Sequence, residues 1–323
     1  MANYSYRFKR EMQFRHCFVD FKDADRNAAQ IEAGVTGIEL VPGPGIDLSK
    51  VSVNLDHHGQ GCTAESPAAC DQALTVDMTE LPRKCLYSRL DMDSLVAGAI
   101  LELRASAALG VIDIRDIDED IVRAVSALDR KGPAGLTDEE REHLPEASFL
   151  GRVAFDRDLS FDQKIRIAMG FLLVQDADAA AAKADDIEEA NSLRQKELEQ
   201  ARKELQTEVR SSGLVVVRGN SRFASNLIYE SGDIGVAFND AFPVDFRDPS
   251  KGTCRKATIM KRDSNVPLDM TRVAALLNEE EQRLGGSGKW GGRGEILGSP
   301  MGQDYLVPDD KVIAAVETIM QHS

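Results

Sequence analysis

The sequence has few cysteines among its 323 residues and no Cys-x-x-Cys pair. A disulfide scaffold or a paired-cysteine zinc site is therefore disfavoured, and we expect reduced thiols in a cytoplasmic protein. No apolar stretch follows the charged N-terminal segment, so no signal peptide is expected. Cys62 and Cys70 flank a turn, where each could be a metal ligand or a buried structural thiol.

Long apolar runs and positive charge are also scarce. No segment reaches the roughly 18 apolar residues that a membrane-spanning helix needs, so we expect no membrane partner. Lys and Arg total 39 against 54 Asp and Glu, which gives a formal net charge of −15. Binding of long nucleic acids depends on neutralising phosphates with Lys and Arg, so a long duplex is not expected as a partner. A small anion in a local basic pocket is compatible with this charge, and so is a homodimer.

Short apolar runs alternate with helical patterns in the first part of the chain. The runs at residues 16–21, 51–55 and 84–88 predict buried strands, and residues 23–33 and 93–109 have helical periodicity. This alternation predicts an α/β fold with a parallel sheet that helices cover on both faces.

The second part of the chain begins with a long polar segment rich in Ala, Glu, Lys and Arg, which predicts a single helix. Further strand-like and helical segments follow it and predict a second, smaller α/β domain. We therefore divide the chain into a first domain at residues 1–175, a helical linker at 176–210 and a small domain at 211–323.

Two adjacent histidines follow an aspartate at the end of the second predicted strand, in Asp56-His57-His58. Ligands bind at the carboxyl ends of strands in open α/β sheets. Neighbouring histidines on a loop point to different sides, so one can hold a metal ion while the other faces a substrate. A polar turn without function is the alternative interpretation.

Two aspartates separated by one residue follow the third predicted strand, in Asp91-Met92-Asp93-Ser94. Each carboxylate can offer oxygen to a different metal ion, and carboxylates with imidazole suit Mn²⁺ or Mg²⁺. The alternative is that Asp91 or Asp93 only caps the following helix.

Asp20 and Asp129 also lie at predicted ends of a strand and a helix. With the two motifs, four segments of the chain place Asp or His at such ends. A two-metal hydrolase needs this convergence, because one carboxylate bridges the ions and a bridging water becomes the nucleophile. We therefore expect two Mn²⁺ or Mg²⁺ ions.

The two motifs resemble those of the DHH phosphoesterase superfamily, which includes RecJ-type exonucleases, oligoribonucleases, cyclic-dinucleotide phosphodiesterases and manganese-dependent inorganic pyrophosphatases. Many members also carry Gly-Gly-His-x-x-Ala-Ala-Gly in a small substrate-binding domain after a helical linker. The segment from Gly291 to Gly298 stands in the corresponding place. The resemblance implies a metal-binding catalytic first domain and a substrate-binding second domain.

Three features depart from the family pattern. The Asp-x-Asp-Ser segment follows the Asp-His-His segment instead of preceding it, which resembles a rearranged subgroup. Tyr87 stands where the family often has a metal-binding histidine, and Arg293 stands where it has the histidine of Gly-Gly-His. The first change alters the order of the strands, the second weakens one metal site, and the third changes how an anion is held.

The resemblance implies a role for each motif residue. His57 resembles the metal-binding histidine, whereas His58 faces the scissile phosphate and acts with Asp56 as a catalytic residue. Asp91 and Asp93 would each bind one ion, and Asp129 would complete the metal ligands. The carboxylate shared by both ions would be Asp20, with Asp113 as the rival candidate.

Basic residues near the glycine motif are candidates for substrate binding. Glycine lets backbone N–H groups approach an anion, and arginine grips phosphate with a planar fork. The alternative is a solvated strand edge protected by basic side chains. The candidates are Arg222, Arg255, Lys261, Arg262, Gly291, Gly292 and Arg293.

These features together predict metal-dependent hydrolysis of a phosphoester or phosphoanhydride. The substrate would be a nucleotide, a short oligonucleotide or a small phosphorylated metabolite. Two alternatives stay open: a related enzyme with one metal ion or a different reaction, and a ligand-binding protein without catalysis.

Overall fold

The computed structural model describes residues 11–19, 23–42, 44–57, 66–132, 135–173, 177–244, 249–263 and 265–322. These residues form two compact units. The first extends to Gly132 and includes Leu136–Arg194, and the second contains the chain from Gln195 onwards. Each unit has its own sheet. No helix in the described ranges is long and apolar enough to cross a bilayer.

The first unit is built on a sheet of four parallel strands in the order β1-β4-β2-β3. The strands are β1 (Arg15–Phe18), β2 (Thr36–Ile38), β3 (Val53–Leu55) and β4 (Lys84–Tyr87). The sequence predicted β1, β3 and β4 but not the short β2. Because all four strands run the same way, their carboxyl ends meet at one edge of the sheet.

Seven helices of the first unit are described, α1 (Ala24–Glu32), α2 (Ala69–Thr75), α3 (Met92–Ala108), α4 (Glu119–Lys131), α5 (Asp138–Glu142), α6 (Leu144–Phe155) and α7 (Phe161–Leu172). Helix α3 is buried on nearly every side, which matches its high content of Leu, Ile, Val and Ala. It begins with reciprocal bonds: Ser94 N donates to Asp91 Oδ1 at 3.1 Å, and Asp91 N donates to Ser94 Oγ at 2.9 Å. Asp91 therefore caps helix α3, which was the alternative interpretation of this motif.

A buried polar chain lies beside α3. The Tyr87 hydroxyl is 2.7 Å from His16 Nδ1, and His16 Nε2 is 3.1 Å from Glu102 Oε1. The Glu102 carboxylate also accepts the backbone N–H groups of Gln13 and Phe14. Tyr87 therefore takes part in fixing β1 against α3.

Helix α8 (Ala177–Glu204) runs across the boundary between the units and leads into the second sheet. The strands there are β5 (Gln206–Val209), β6 (Val215–Arg218), β7 (Ile234–Pro243), β8 (Thr253–Lys261), β9 (Gly291–Arg293) and β10 (Ile296–Gly298). Their order is β5-β6-β7-β8-β10-β9, with β6 and β7 parallel and the other neighbours antiparallel.

The second sheet is covered on both faces. Helices α10 (Met270–Arg283) and α11 (Asp309–Met320) share one core with it, which includes Trp290. Helix α9 (Ala224–Ser231) packs in a second core with the last part of α8. The predicted fold class, a parallel-sheet α/β domain followed by a helical linker and a smaller α/β domain, is confirmed.

Candidate metal centre

Four side chains that can bind a metal meet at the carboxyl edge of the first sheet. Glu39 follows β2, His57 follows β3, Asp93 lies in the first turn of α3, and Asp129 lies in the last turn of α4. One ligand atom from each residue lies within 4.8 Å of the others. Three of these residues were predicted as metal ligands from the sequence, and Glu39 was not.

His57 is at the centre of this cluster. Its Nε2 atom lies 2.6 Å from Asp129 Oδ2 and 3.5 Å from Glu39 Oε1. The same atom is 4.0 Å from Asp93 Oδ2. Asp129 is the most exposed of the four, with 18% of its side chain accessible, whereas the other three are almost fully buried. The cluster is therefore a buried acidic site that opens towards Asp129.

Asp93 is oriented by the start of α2. Its Oδ2 atom accepts the N–H of Ala69 at 2.8 Å, and its Oδ1 atom accepts the N–H of Cys70 at 2.9 Å. The N-terminus of a helix carries partial positive charge and unsatisfied N–H donors, so it stabilises a carboxylate. Asp93 is thus held in one orientation before any ligand arrives.

Glu39 is held by an unusual backbone. Its φ angle is +46°, a conformation that costs a non-glycine residue energy and that clusters at functional sites. Asn54 of β3 clamps the next residue: its amide accepts the N–H of Leu40 at 3.2 Å and donates to the Leu40 carbonyl at 2.9 Å. A Cβ on Gly37 would lie 2.3 Å from Asn54 Oδ1, so glycine in β2 makes room for this clamp.

Arg89 connects the cluster to Asp91. Its Nε atom lies 2.8 Å from Asp91 Oδ2 and 3.5 Å from Glu39 Oε2. The Asp91 carboxylate therefore bonds to the start of helix α3 and to Arg89, and Asp91 lies outside the four-residue cluster. Its carboxylate is turned to the helix cap and the guanidinium, and metal binding by Asp91 stays a prediction.

Burial and crowding shift the ionisation of the site. Burial lowers the pKa of His57, but hydrogen bonds to Asp129 and Glu39 outweigh this and raise it to about 10. Burial and the charge of Glu39 raise the pKa of Asp93 to about 8 and that of Asp91 to about 6, although Arg89 opposes the latter shift. Without a metal the cluster holds protons that a cation would displace.

The donor set fits a divalent cation. One imidazole nitrogen and three carboxylate oxygens suit a hard or borderline ion such as Mn²⁺ or Mg²⁺. The four donors could hold a metal ion, and the expected number of two ions stays a prediction. Asp20, the expected shared carboxylate, and His58, the residue expected to face the phosphate, lie outside the described residues.

The other candidates of the first unit lie elsewhere. The backbone carbonyl of Asp56 accepts a bond from Gln72 Nε2 at 2.9 Å, and its carboxylate is not among the four donors. Asp113 is an exposed N-cap paired with Arg115, and its bridging role stays a prediction. Cys70 Sγ lies 3.8 Å from the Val122 carbonyl, and burial raises the pKa of its thiol, as expected for a structural thiol.

The basic candidates of the second unit have partners within that unit. Lys261 Nζ donates to the carbonyls of Val266 and Leu268, both at 3.1 Å. Arg262 pairs with Asp233, Arg255 with Asp309, and Arg222 with Glu197. These contacts give each residue a structural role, and substrate binding by them stays a prediction.

The glycine motif forms the hairpin of β9 and β10. A Cβ on Gly292 would lie 2.0 Å from the Ile296 carbonyl oxygen, so the close strand pairing requires glycine there. A Cβ on Gly291 would meet no atom within 4 Å. The side chain of Arg293 lies outside the described part of the structure, so its substrate role also stays a prediction.

Comparison with known proteins finds similarity to solved structures. No family model and no curated protein matches the sequence. The structure is similar to a solved chain described as the DHH domain of a member of the S1p family of ribosomal proteins. The two chains share 13% identity at a TM-score of 0.46, over 84% of this chain and 64% of that one. The matched region thus spans less than two thirds of that chain.

Proposed function

We propose that the protein is a divalent-metal-dependent hydrolase of phosphoesters or phosphoanhydrides in small phosphorylated molecules. The supporting observation is the buried set of Glu39, His57, Asp93 and Asp129 at the carboxyl edge of a parallel sheet. The step from a metal site to phosphate chemistry is supported by the motifs that resemble DHH phosphoesterases. Nucleotides, short oligonucleotides and small phosphorylated metabolites are the proposed substrates.

The chain supplies a prepared ligand set. When bound, a divalent ion activates a phosphoryl oxygen and a nucleophilic water as a Lewis acid. The N–H groups of Ala69 and Cys70 keep the Asp93 carboxylate in place. The clamp from Asn54 fixes the chain beside Glu39. Because both devices are built into the fold, the site needs little rearrangement to accept a cation.

A metal titration followed by an activity screen tests this proposal. Mn²⁺ binding is measured by calorimetry on the full chain, and phosphate release is then measured with nucleotides, dinucleotides and small phosphoesters. Asp129→Asn should lose both metal affinity and activity. Asp120→Asn is the matched control, because Asp120 lies on the same helix but pairs with Arg123 at the surface.

The outcomes separate the alternatives. Mn²⁺ binding with phosphate release that Asp129→Asn abolishes would support the proposal. Mn²⁺ binding without release from any phosphoester would favour a ligand-binding protein. Absence of Mn²⁺ and Mg²⁺ binding by the unaltered chain would overturn the proposal.

A further inference from the structure

Helix α2 contributes none of the four side chains of the candidate metal centre. It packs against both α3 and α4, the helices that carry Asp93 and Asp129. The α2 residues Ala69, Cys70 and Ala73 are fully buried, and their small side chains let both helices approach closely. Two N–H groups of α2 already hold the Asp93 carboxylate, so the position of α2 determines that of one cluster residue.

Asp71 connects α2 to α4. Its Oδ2 atom accepts a hydrogen bond from the hydroxyl of Ser126, which is fully buried on α4. Ser126 lies one helical turn before Asp129, on the same face of the helix. The Nε atom of Arg130 also donates to the Ser126 hydroxyl, at 3.1 Å. The bond between Asp71 and Ser126 therefore fixes the last turns of α4 relative to the start of α2.

Gln72 makes a corresponding contact with the chain that follows β3. Its Nε2 atom donates to the carbonyl of Asp56 at 2.9 Å and to the carbonyl of Pro67 at 2.8 Å. Because Asp56 directly precedes His57, this amide holds the backbone next to the histidine of the cluster. Three of the four cluster residues are therefore bonded to α2 directly or lie close along the chain to a residue that is.

Helix capping is the simpler explanation of Asp71. Its carboxylate does accept the N–H of Ala68 at 3.3 Å, which closes the first turn of α2. A cap does not need a hydroxyl from another helix, however, and Ser126 supplies one from α4. The half-buried Gln72 could likewise bond to water, yet its amide joins two separate stretches of backbone. Both side chains thus do more than stabilise their own helix.

We propose that α2 positions the donors of the metal centre through two contacts, the Asp71–Ser126 bond and the bond from Gln72. This inference rests on the proposed function, because it assigns positioning residues to the cation site of that function. The bond to Ser126 sets the separation of Asp93 and Asp129, and the bond from Gln72 sets the position of the cluster histidine. A cation needs its donors at fixed separations, so loss of either bond lowers affinity without removing a donor.

Two neutral substitutions in the full chain test the proposal. Ser126→Ala removes the bond to Asp71, and Gln72→Met removes the amide but keeps a long side chain of good helix propensity. Neither changes the charge of the site, so a change in cation affinity would not arise from a lost charge. Ser148→Ala is the control, because the Ser148 hydroxyl donates to the Leu144 carbonyl at 2.7 Å within α6.

Mn²⁺ affinity is measured by calorimetry on the folded proteins, and stability by urea unfolding in EDTA. Ser126→Ala and Gln72→Met should each bind Mn²⁺ about three- to tenfold more weakly, since loss of a group bonded directly to a ligand costs roughly ten- to a hundred-fold. Ser148→Ala should bind Mn²⁺ as the unaltered chain does. A purely structural bond would lower the urea midpoint and leave the Mn²⁺ affinity of the folded protein unchanged.

The outcomes distinguish this inference from the proposed function. Mn²⁺ affinity within about twofold of the unaltered chain in both variants would overturn the inference, whatever their stability. Equal weakening in Ser148→Ala would also overturn it, since loss of any hydrogen bond would then have the same effect. If Ser126→Ala does not fold, Gln72→Met decides between these results. Failure of the unaltered chain to bind Mn²⁺ would instead overturn the proposed function itself, and this inference with it.

Discussion

Nε2 of His57 lies 2.6 Å from Oδ2 of Asp129, which joins the end of β3 to the last turn of α4. The two residues come from distant parts of the chain and share no local sequence motif. Their approach brings a helix terminus to the edge of the sheet, where Glu39 and Asp93 complete the donor set. Four elements of the first unit therefore depend on one another at this point.

Asp93→Ala and Asp129→Asn should differ in stability although both lose metal binding. Asp93 accepts two buried backbone N–H groups, so its removal should lower the free energy of unfolding by about 1–3 kcal/mol. Asp129→Asn keeps an amide oxygen that can accept a bond from His57 Nε2, so this change should cost less than about 1 kcal/mol. Urea unfolding and Mn²⁺ calorimetry measure both effects. Equal losses of stability would contradict the anchoring role of Asp93.

The metal-free protein should lose stability as the pH rises through neutrality. The stabilisation from the Asp93 proton is fully present below its ordinary pKa of 3.8 and is lost as the pH rises through about 8. The stabilisation from the His57 proton is fully present below its ordinary pKa of 6.5 and is lost as the pH rises through about 10. A cation displaces these protons, so Mn²⁺ affinity should increase over the same interval.

Thermal unfolding in EDTA and in MnCl₂ from about pH 6 to about pH 8 measures this linkage. The melting temperature in EDTA should fall, and the increase caused by Mn²⁺ should become larger. Asp93→Asn should flatten the fall, because the titrating carboxyl group is gone. A Mn²⁺ effect that is constant across this range would argue against proton displacement at the cluster.

Tyr87→Phe should destabilise the first unit without changing its metal content. The Tyr87 hydroxyl lies 2.7 Å from His16 Nδ1, and its loss leaves a buried imidazole nitrogen without that bond. The expected cost is about 1–3 kcal/mol in the free energy of unfolding. Denaturant unfolding and metal analysis test the prediction. A loss of Mn²⁺ in this variant would place Tyr87 in the metal centre after all.

Arg293→Ala should lower kcat/KM by roughly ten- to a hundred-fold with unchanged metal content, as expected for a lost charge-assisted bond to phosphate. Arg293 follows Gly291 and Gly292 in β9 and stands where the resembled family has a substrate histidine. Arg283→Ala is the control, since Arg283 pairs with Glu280 on the surface of α10. Unchanged kinetics would leave the hairpin with a purely structural role.

The sequence predicted the members of the acidic cluster best where a motif marked them. His57 and Asp93 follow strong strands in recognisable spacings, and Asp129 was found as a carboxylate at a helix end. Glu39 was missed because β2 is only three residues long and contains Gly37, so the strand before it was not predicted. The sequence feature that marks Glu39 is a single acidic residue directly after a short run with β-branched side chains.

Asp91 shows why spacing alone cannot assign a role. In Asp91-x-Asp93 both carboxylates precede or begin the same helix, and the sequence cannot tell which one turns towards the sheet edge. The structure turns Asp91 to Ser94 and Arg89, and Asp93 to the start of α2. That division depends on tertiary neighbours from elsewhere in the chain, which no local pattern contains.

The two amide protons that α2 directs at Asp93 also make the site visible to spectroscopy. The ¹H and ¹⁵N resonances of Ala69 and Cys70 depend on the charge and orientation of the carboxylate that accepts them. Diamagnetic Mg²⁺ should move both resonances together, and deprotonation of Asp93 should move them in the absence of metal. The fold thus contains a reporter of the state of its own acidic cluster, readable without substrate or turnover.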